Sequence, residues 1–127
     1  MPSIPPTIGI DAHKKTFTFV QLDPNNALAH FKLGSTLLEQ GDVAEGSTHL
    51  ARSVALDPNF GLSRTAYGRS LLQLGNAEEA LVELRRATEL NPEDANTYFQ
   101  LARAYQKLGD TAASEEALRM YEKLKNK

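Results

Sequence analysis

The segment Gly41–Thr48 carries the glycine and hydroxyl residues of a phosphate-binding loop. Such a loop also needs a lysine before its last hydroxyl residue, to reach the phosphates, and a strand before its first glycine. Ser47 stands where that lysine would be, and no strand pattern precedes the segment. Equivalent segments begin at Gly75 and Gly109. We therefore interpret the segment as a turn between helices and not as a nucleotide site.

The three histidines, His13, His30 and His49, show no spacing typical of metal ligands. His30 and His49 are predicted to lie on different helices of one structural unit, and we assign all three to structural or surface roles. The chain has no cysteine, which excludes thiolate nucleophiles and cysteine-bound zinc.

Two acidic pairs, Glu78–Glu79 and Glu115–Glu116, are the remaining candidates for acid–base chemistry. Adjacent side chains diverge on a helix, so neither pair converges on one substrate atom. No nucleophile stands at a readable spacing from a base and an orienting group. We predict that the chain is not an enzyme and holds neither a metal nor a cofactor.

The charge pattern argues against a nucleic-acid partner. The 127 residues carry a net charge of −2, with both signs interspersed and no basic run. No apolar stretch approaches the roughly 18 residues that a membrane helix needs. Residues 1–6 lack the basic and apolar regions of a signal peptide. We expect a soluble protein, with the cytoplasm favoured, that binds neither nucleic acid nor membrane.

Several residue types recur every 34 positions along the chain. The recurring sets are Pro24, Pro58 and Pro92; Gly41, Gly75 and Gly109; Gly34, Gly68 and Ala102; and Leu50, Leu84 and Leu118. A fixed period of this length indicates stacked repeats, because a single unit cannot bury its own apolar face.

Each repeat is predicted to contain two helices. Apolar residues at helical spacing predict helices near 26–40, 43–56, 61–74, 77–90, 95–108 and 111–125. A glycine ends each first helix, since it adopts the left-handed backbone without steric cost. Residues 1–26 fit less well: we predict an irregular segment with a partial-repeat helix near 11–22, although 16–20 also alternates like a strand.

This pattern resembles the tetratricopeptide repeat (TPR). Counted from Ala27, Gly61 and Ala95, the repeats span 27–60, 61–94 and 95–127. The matching residues are Leu33, Gly34, Leu37, Leu50 and Pro58; Gly68, Leu71, Ala80, Leu84, Ala87 and Pro92; and Tyr98, Leu101, Ala102, Tyr105 and Leu118. The resemblance implies an all-α solenoid of stacked helix–turn–helix units in a right-handed superhelix. His30, Arg64, Gly46, Ser53 and Tyr121 depart from the pattern, and we expect them to weaken individual contacts.

The family resemblance also implies a function. In the family, the first helices of successive repeats line a concave groove that holds a peptide or a partner helix. The groove positions map to Leu28, Phe31, Ser35, Leu38, Leu62, Thr65, Arg69, Leu72, Gln73, Asn96, Phe99, Arg103 and Lys107. The expected partner is a protein or peptide, and the expected role is a protein–protein interaction module.

Two alternatives stay open at this point. The chain could be a structural segment that associates with copies of itself through the faces of its terminal helices, or an accessory domain of a larger protein. One subclass is excluded by its residues. The chaperone-binding members use a lysine and an asparagine where this chain has Phe31 and Ser35, and basic residues where it has Asn96 and Gln100. We therefore expect no chaperone-tail receptor.

Overall fold

The computed structural model describes residues 25–127, and every regular element in that range is an α-helix. The helices are α1 (Ala27–Glu39), α2 (Val43–Leu56), α3 (Gly61–Gln73), α4 (Ala77–Leu90), α5 (Ala95–Lys107) and α6 (Thr111–Lys125). The predicted bounds agree with these to within one residue. The predicted helix near 11–22 and the competing strand lie outside the described residues.

The turn inside each repeat depends on its glycine. Gly41, Gly75 and Gly109 have φ values of 91°, 89° and 83°, in the left-handed region that side-chain-bearing residues rarely adopt. The turn then closes by backbone hydrogen bonds, such as the 2.8 Å bond from the Asn76 amide to the Leu71 carbonyl. These bonds satisfy carbonyls at the end of the first helix that would otherwise lack partners.

The six helices form three antiparallel hairpins, α1–α2, α3–α4 and α5–α6. The hairpins stack because α2 also packs on α3 and α4 also packs on α5. Leucines from successive hairpins, including Leu33, Leu50, Leu72 and Leu84, are almost completely buried in the stack. The described chain is therefore an all-α repeat solenoid.

One of the recurring leucines has a different environment in the third repeat. Leu50 and Leu84 are 0% exposed, whereas Leu118, at the same repeat position, is 40% exposed. The facing position on the first helix holds glycine in the first two repeats and Ala102 in the third. Within residues 25–127, α6 packs only on α5, whereas α2 and α4 also pack on the first helix of the next repeat. The α6 helix instead buries Ala117 and Ser114 against α5.

The expectation that Ser53 and Gly46 weaken contacts is wrong. Ser53 is fully buried, and its hydroxyl pairs with Ser63 at 2.6 Å and donates to the Ala27 carbonyl at 2.7 Å. Satisfied in this way, a buried hydroxyl stabilises the contact between repeats. A Cβ on Gly46 would lie 2.9 Å from the Gly34 carbonyl oxygen, so an alanine there would push α1 and α2 apart.

Two other departures from the family pattern also have partners. Arg64 takes the place of a bulky apolar residue, and it forms a 2.8 Å ion pair with Glu83 of α4. Its Nε donates to the Pro58 carbonyl at 2.8 Å. Tyr121 contacts the ring of Phe99, with centroids 5.3 Å apart. Each substitution is thus matched by a second residue that the pattern alone does not reveal.

Candidate functional site

The inner face of the solenoid is formed by the first helix of each repeat. Helix α3 contacts both α1 and α5, whereas within residues 25–127 the second helices α2, α4 and α6 do not contact one another. Elements that lie close together line the concave side of a curved stack, and elements that spread apart lie on its convex side. All predicted groove residues belong to α1, α3 and α5.

Apolar side chains are exposed on the first two helices of this face. Leu28 of α1 and Leu62 of α3 are 47% and 46% exposed. Phe31 is half-buried, and its ring packs edge-on against that of Phe60, with centroids 5.1 Å apart. Phe60 directly precedes α3, so this aromatic contact positions Phe31 between the first two repeats. Ser35 is half-buried on the same helix.

Three predicted groove residues are buried and cannot meet a ligand in this arrangement. Leu38 and Leu72 are 5% and 1% exposed. Thr65 is also buried, and its hydroxyl pairs with that of Thr97 at 2.8 Å, which joins α3 to α5. These positions lie where neighbouring helices meet, so their side chains fill the contact between repeats. Fewer of the predicted groove residues are therefore accessible to a ligand than the sequence analysis expected.

Within residues 25–127, the two arginines of the inner face have no acidic partner. Arg69 of α3 and Arg103 of α5 are half-buried. The Arg69 Nε is buried without a hydrogen-bond partner in the described chain. Arg103 donates a hydrogen bond to the side-chain oxygen of Gln100, at 3.1 Å. The ion pairs within residues 25–127 lie elsewhere, at Arg64–Glu83, Arg86–Glu89, Arg119–Glu116 and Lys125–Glu122.

The remaining predicted residues lie around these arginines. Gln73, Asn96 and Lys107 are exposed at the ends of their helices. Asn96 accepts a 3.5 Å hydrogen bond from Gln100, which is itself buried. Gln100 thus connects Asn96 to Arg103 along one side of α5. We did not predict this role of Gln100, although its spacing from both residues, one helical turn, is the signal that would have found it.

Phe99 occupies a different environment from Phe31, the other aromatic residue of the predicted groove. It is exposed on α5, and its ring leans against Tyr121 of α6. The equivalent residue one repeat earlier is Thr65, which contacts the next first helix. Phe99 therefore lies at the outer end of the third repeat and not between two first helices.

A histidine pair is the second feature that the sequence analysis missed. The Nδ1 atoms of His30 and His49 lie 3.1 Å apart, one from each helix of the first repeat. Burial, and then the charge of His30, lowers the pKa of His49, and Glu45 opposes that shift.

Among the described residues, no group of three or more potential ligands could hold a metal ion. Within the same range, no helix is long and apolar enough to cross a membrane.

Comparisons with known proteins agree with this architecture. A model described as TPR repeat matches residues 68–109, and one described as tetratricopeptide repeat matches residues 95–127. The stacked hairpins and these matches together define a class, the helical repeat solenoids. Residues 68–127 therefore match tetratricopeptide repeats. No curated protein matches it.

Solved structures with the same fold include several repeat proteins. A crystal structure of MamA is 27% identical, with a TM-score of 0.80, over 92% of this chain and 67% of that one. YrrB, described as a TPR protein with an unusual peptide-binding site, is 23% identical, with a TM-score of 0.73, over 78% and 51%. The second TPR of Spaghetti (RPAP3), bound to the HSP90 peptide SRMEEVD, is 17% identical, with a TM-score of 0.75, over 78% and 92%.

Proposed function

We propose that this chain is a protein-interaction module that binds a peptide or partner helix along the inner face of α1, α3 and α5. One observation carries the proposal: this face combines exposed leucines with half-buried arginines that have no carboxylate partner among the described residues. Exposed apolar side chains in a row favour burial against a partner. A half-buried guanidinium with an unsatisfied N–H favours an anionic acceptor.

The positions of these residues define the ligand. Its apolar anchors meet Leu28, Phe31 and Leu62, on the first two repeats. Its carboxylates meet Arg69 and Arg103, on the second and third. The apolar contacts supply most of the affinity, because burial of large side chains dominates binding energy. The charged contacts mainly set the orientation and the association rate.

Two of the similar structures support a peptide ligand. The Spaghetti (RPAP3) domain is bound to an HSP90 peptide, and YrrB is described as having a peptide-binding site. Both share the fold of this chain at low identity, so they support the type of ligand and not its sequence. Phe31 and Ser35 replace the lysine and asparagine of the chaperone-tail receptors, so we propose a different segment for this groove.

A matched pair of variants tests the proposal. Leu62 on the inner face and Val82 on the outer helix α4 are both exposed apolar residues. Peptides selected from a random library on the unmodified chain are expected to combine acidic and large apolar residues. Leu62→Glu should abolish their binding, because it places a carboxylate in the apolar part of the face. Val82→Glu should leave binding unchanged. Equal binding by both variants would move the site away from the inner face.

Self-association is a second candidate function, favoured by the apolar residues at the outer end of the third repeat. Phe99 and Leu118 are exposed there, and α6 has no further helix packed on it within the described chain. We propose this end as the surface that would join two copies. Sedimentation equilibrium should then show a concentration-dependent dimer that Leu118→Glu dissociates. A strict monomer at high concentration rules this candidate out.

A further inference from the structure

A hydrogen bond joins the two histidines of the first repeat. His30 lies on α1 and His49 on α2, with their Nδ1 atoms 3.1 Å apart. Their ring centroids are 5.3 Å apart and the ring planes are only 20° from parallel. Because the centroids are much farther apart than the two Nδ1 atoms, the rings meet edge to edge. This is the geometry of an N–H···N hydrogen bond and not that of face-to-face stacking.

Such a bond needs one protonated and one unprotonated Nδ1. A neutral imidazole offers one donor and one acceptor, whereas an imidazolium offers two donors. The bond therefore survives when neither ring or only one ring is charged. When both rings are charged, two N–H groups face each other and two positive charges lie side by side. His30 is buried, so little water is available to screen that repulsion.

We propose that the His30–His49 contact is a proton-sensitive joint between the two helices of the first repeat, which holds Phe31 in place at neutral pH and loosens on acidification. Phe31 follows His30 directly and carries the aromatic part of the inner face. Loosening α1 against α2 therefore removes an apolar anchor from the binding face. This coupling to binding rests on the proposed function, whereas the effect of pH on the first repeat does not.

Several charged groups within residues 25–127 lie on the helices that carry or pack against this pair. The charged groups that act on His49 are His30 and, on α2 itself, Glu45, which partly offsets the effect. Helix α3, which packs against both α1 and α2, carries Arg64, which pairs with Glu83, and Arg69, whose Nε has no hydrogen-bond partner within residues 25–127. On α1 and α2, Lys32 and Arg52 are exposed to solvent.

The direction of the pH effect follows from the pKa of His49. Burial, followed by the charge of His30, holds that pKa below its ordinary value of 6.5. The unfolded chain then binds protons more readily than the folded one. The stabilising contribution is thus complete above 6.5 and declines as the pH falls from there towards the pKa of the folded state. Each unit of separation between the two values lowers the folding equilibrium constant by about tenfold.

The experiment is urea denaturation between about pH 8 and about pH 5, the range in which histidine changes charge. The full chain is compared with His30→Gln/His49→Gln, which keeps polar groups but removes the titration. His13→Gln removes the third histidine and serves as the control. The unmodified chain and the control should lose stability on acidification, and the double variant should lose much less. An equal loss in all three proteins overturns the proposal.

A second measurement reads the pair directly, even if the double variant does not fold. Proton NMR of the unmodified chain follows the imidazole signals as the pH falls. Two of them should titrate in separate steps, one below the ordinary histidine range, and the second step should coincide with loss of α1 amide protection. Two independent titrations at ordinary values overturn the joint. If the joint is confirmed but the affinity for selected peptides does not change with pH, the coupling to binding is wrong while the joint stands.

Discussion

A Cβ atom placed on Gly68 would lie 2.6 Å from the Cγ of Leu84. The same distance separates a Cβ on Gly34 from the Cγ of Leu50. The two helices of these repeats therefore approach so closely that the leucine occupies the space of the missing side chain. Packing in protein interiors leaves little room for an added methyl group. This contact therefore helps to set the distance between the two helices in each of the first two repeats.

Gly68→Ala should destabilise the chain by roughly 1–2 kcal/mol. Overpacking a core typically costs about 1–3 kcal/mol. The higher helix propensity of alanine relative to glycine offsets up to about 1 kcal/mol of that cost. Urea denaturation measures the difference. In a Leu84→Ala background the space is vacant, so the same change should be neutral or stabilising. Additive effects in this double-mutant cycle would contradict direct contact between the two residues.

Leu84→Ala and Leu118→Ala form a matched pair at the same repeat position. Leu84 is 0% exposed, and its truncation should cost roughly 2–5 kcal/mol, as usual for a buried leucine. Leu118 is 40% exposed, and its truncation should cost less than about 1 kcal/mol. The measurement is again the free energy of unfolding. Similar losses in the two variants would show that Leu118 is part of the core after all.

Phe31→Ala should weaken binding of the selected peptides by roughly 1–3 kcal/mol, which is about five- to more than a hundredfold. The truncation removes an apolar anchor from the inner face. Because Phe31 also contacts Phe60, the variant should lose some stability, so binding is measured by calorimetry well below its melting temperature. Val82→Ala, on the outer helix α4, is the control. Unchanged affinity in Phe31→Ala would place the site elsewhere.

Arg103→Gln should reduce the affinity less than Phe31→Ala and make binding less sensitive to salt. The guanidinium is half-buried, so its attraction for a carboxylate is only partly screened. Titrations at two ionic strengths measure both effects. Arg86→Gln, which breaks an exposed ion pair with Glu89 on α4, is the matched control. An unaltered salt dependence would mean that the ligand does not meet Arg103.

The periodic part of the architecture was predictable from the sequence. The recurrence of glycines and prolines defined each helix to within a residue, because these residues act on the local backbone. The lateral contacts were less predictable. Whether Leu72 faces a ligand or the next repeat depends on the rotation of α3 relative to its neighbours. Likewise, His30 and His49 were assigned to different helices, but the meeting of their rings depends on how α1 and α2 pack.

The buried hydroxyl pairs differ between the two repeat interfaces. Ser53 pairs with Ser63 between the first and second repeats, and Thr65 pairs with Thr97 between the second and third. In both pairs the later residue occupies the same repeat position, but the earlier one does not. A hydroxyl buried without a hydrogen-bond partner is costly. Each repeat should therefore pack well only against the repeat that supplies its matching hydroxyl. The three units are therefore not interchangeable modules. Shuffling or duplicating the repeats would preserve the 34-residue period but bury a hydroxyl without its partner. The hydroxyl pairs at the interfaces therefore specify the order of the repeats.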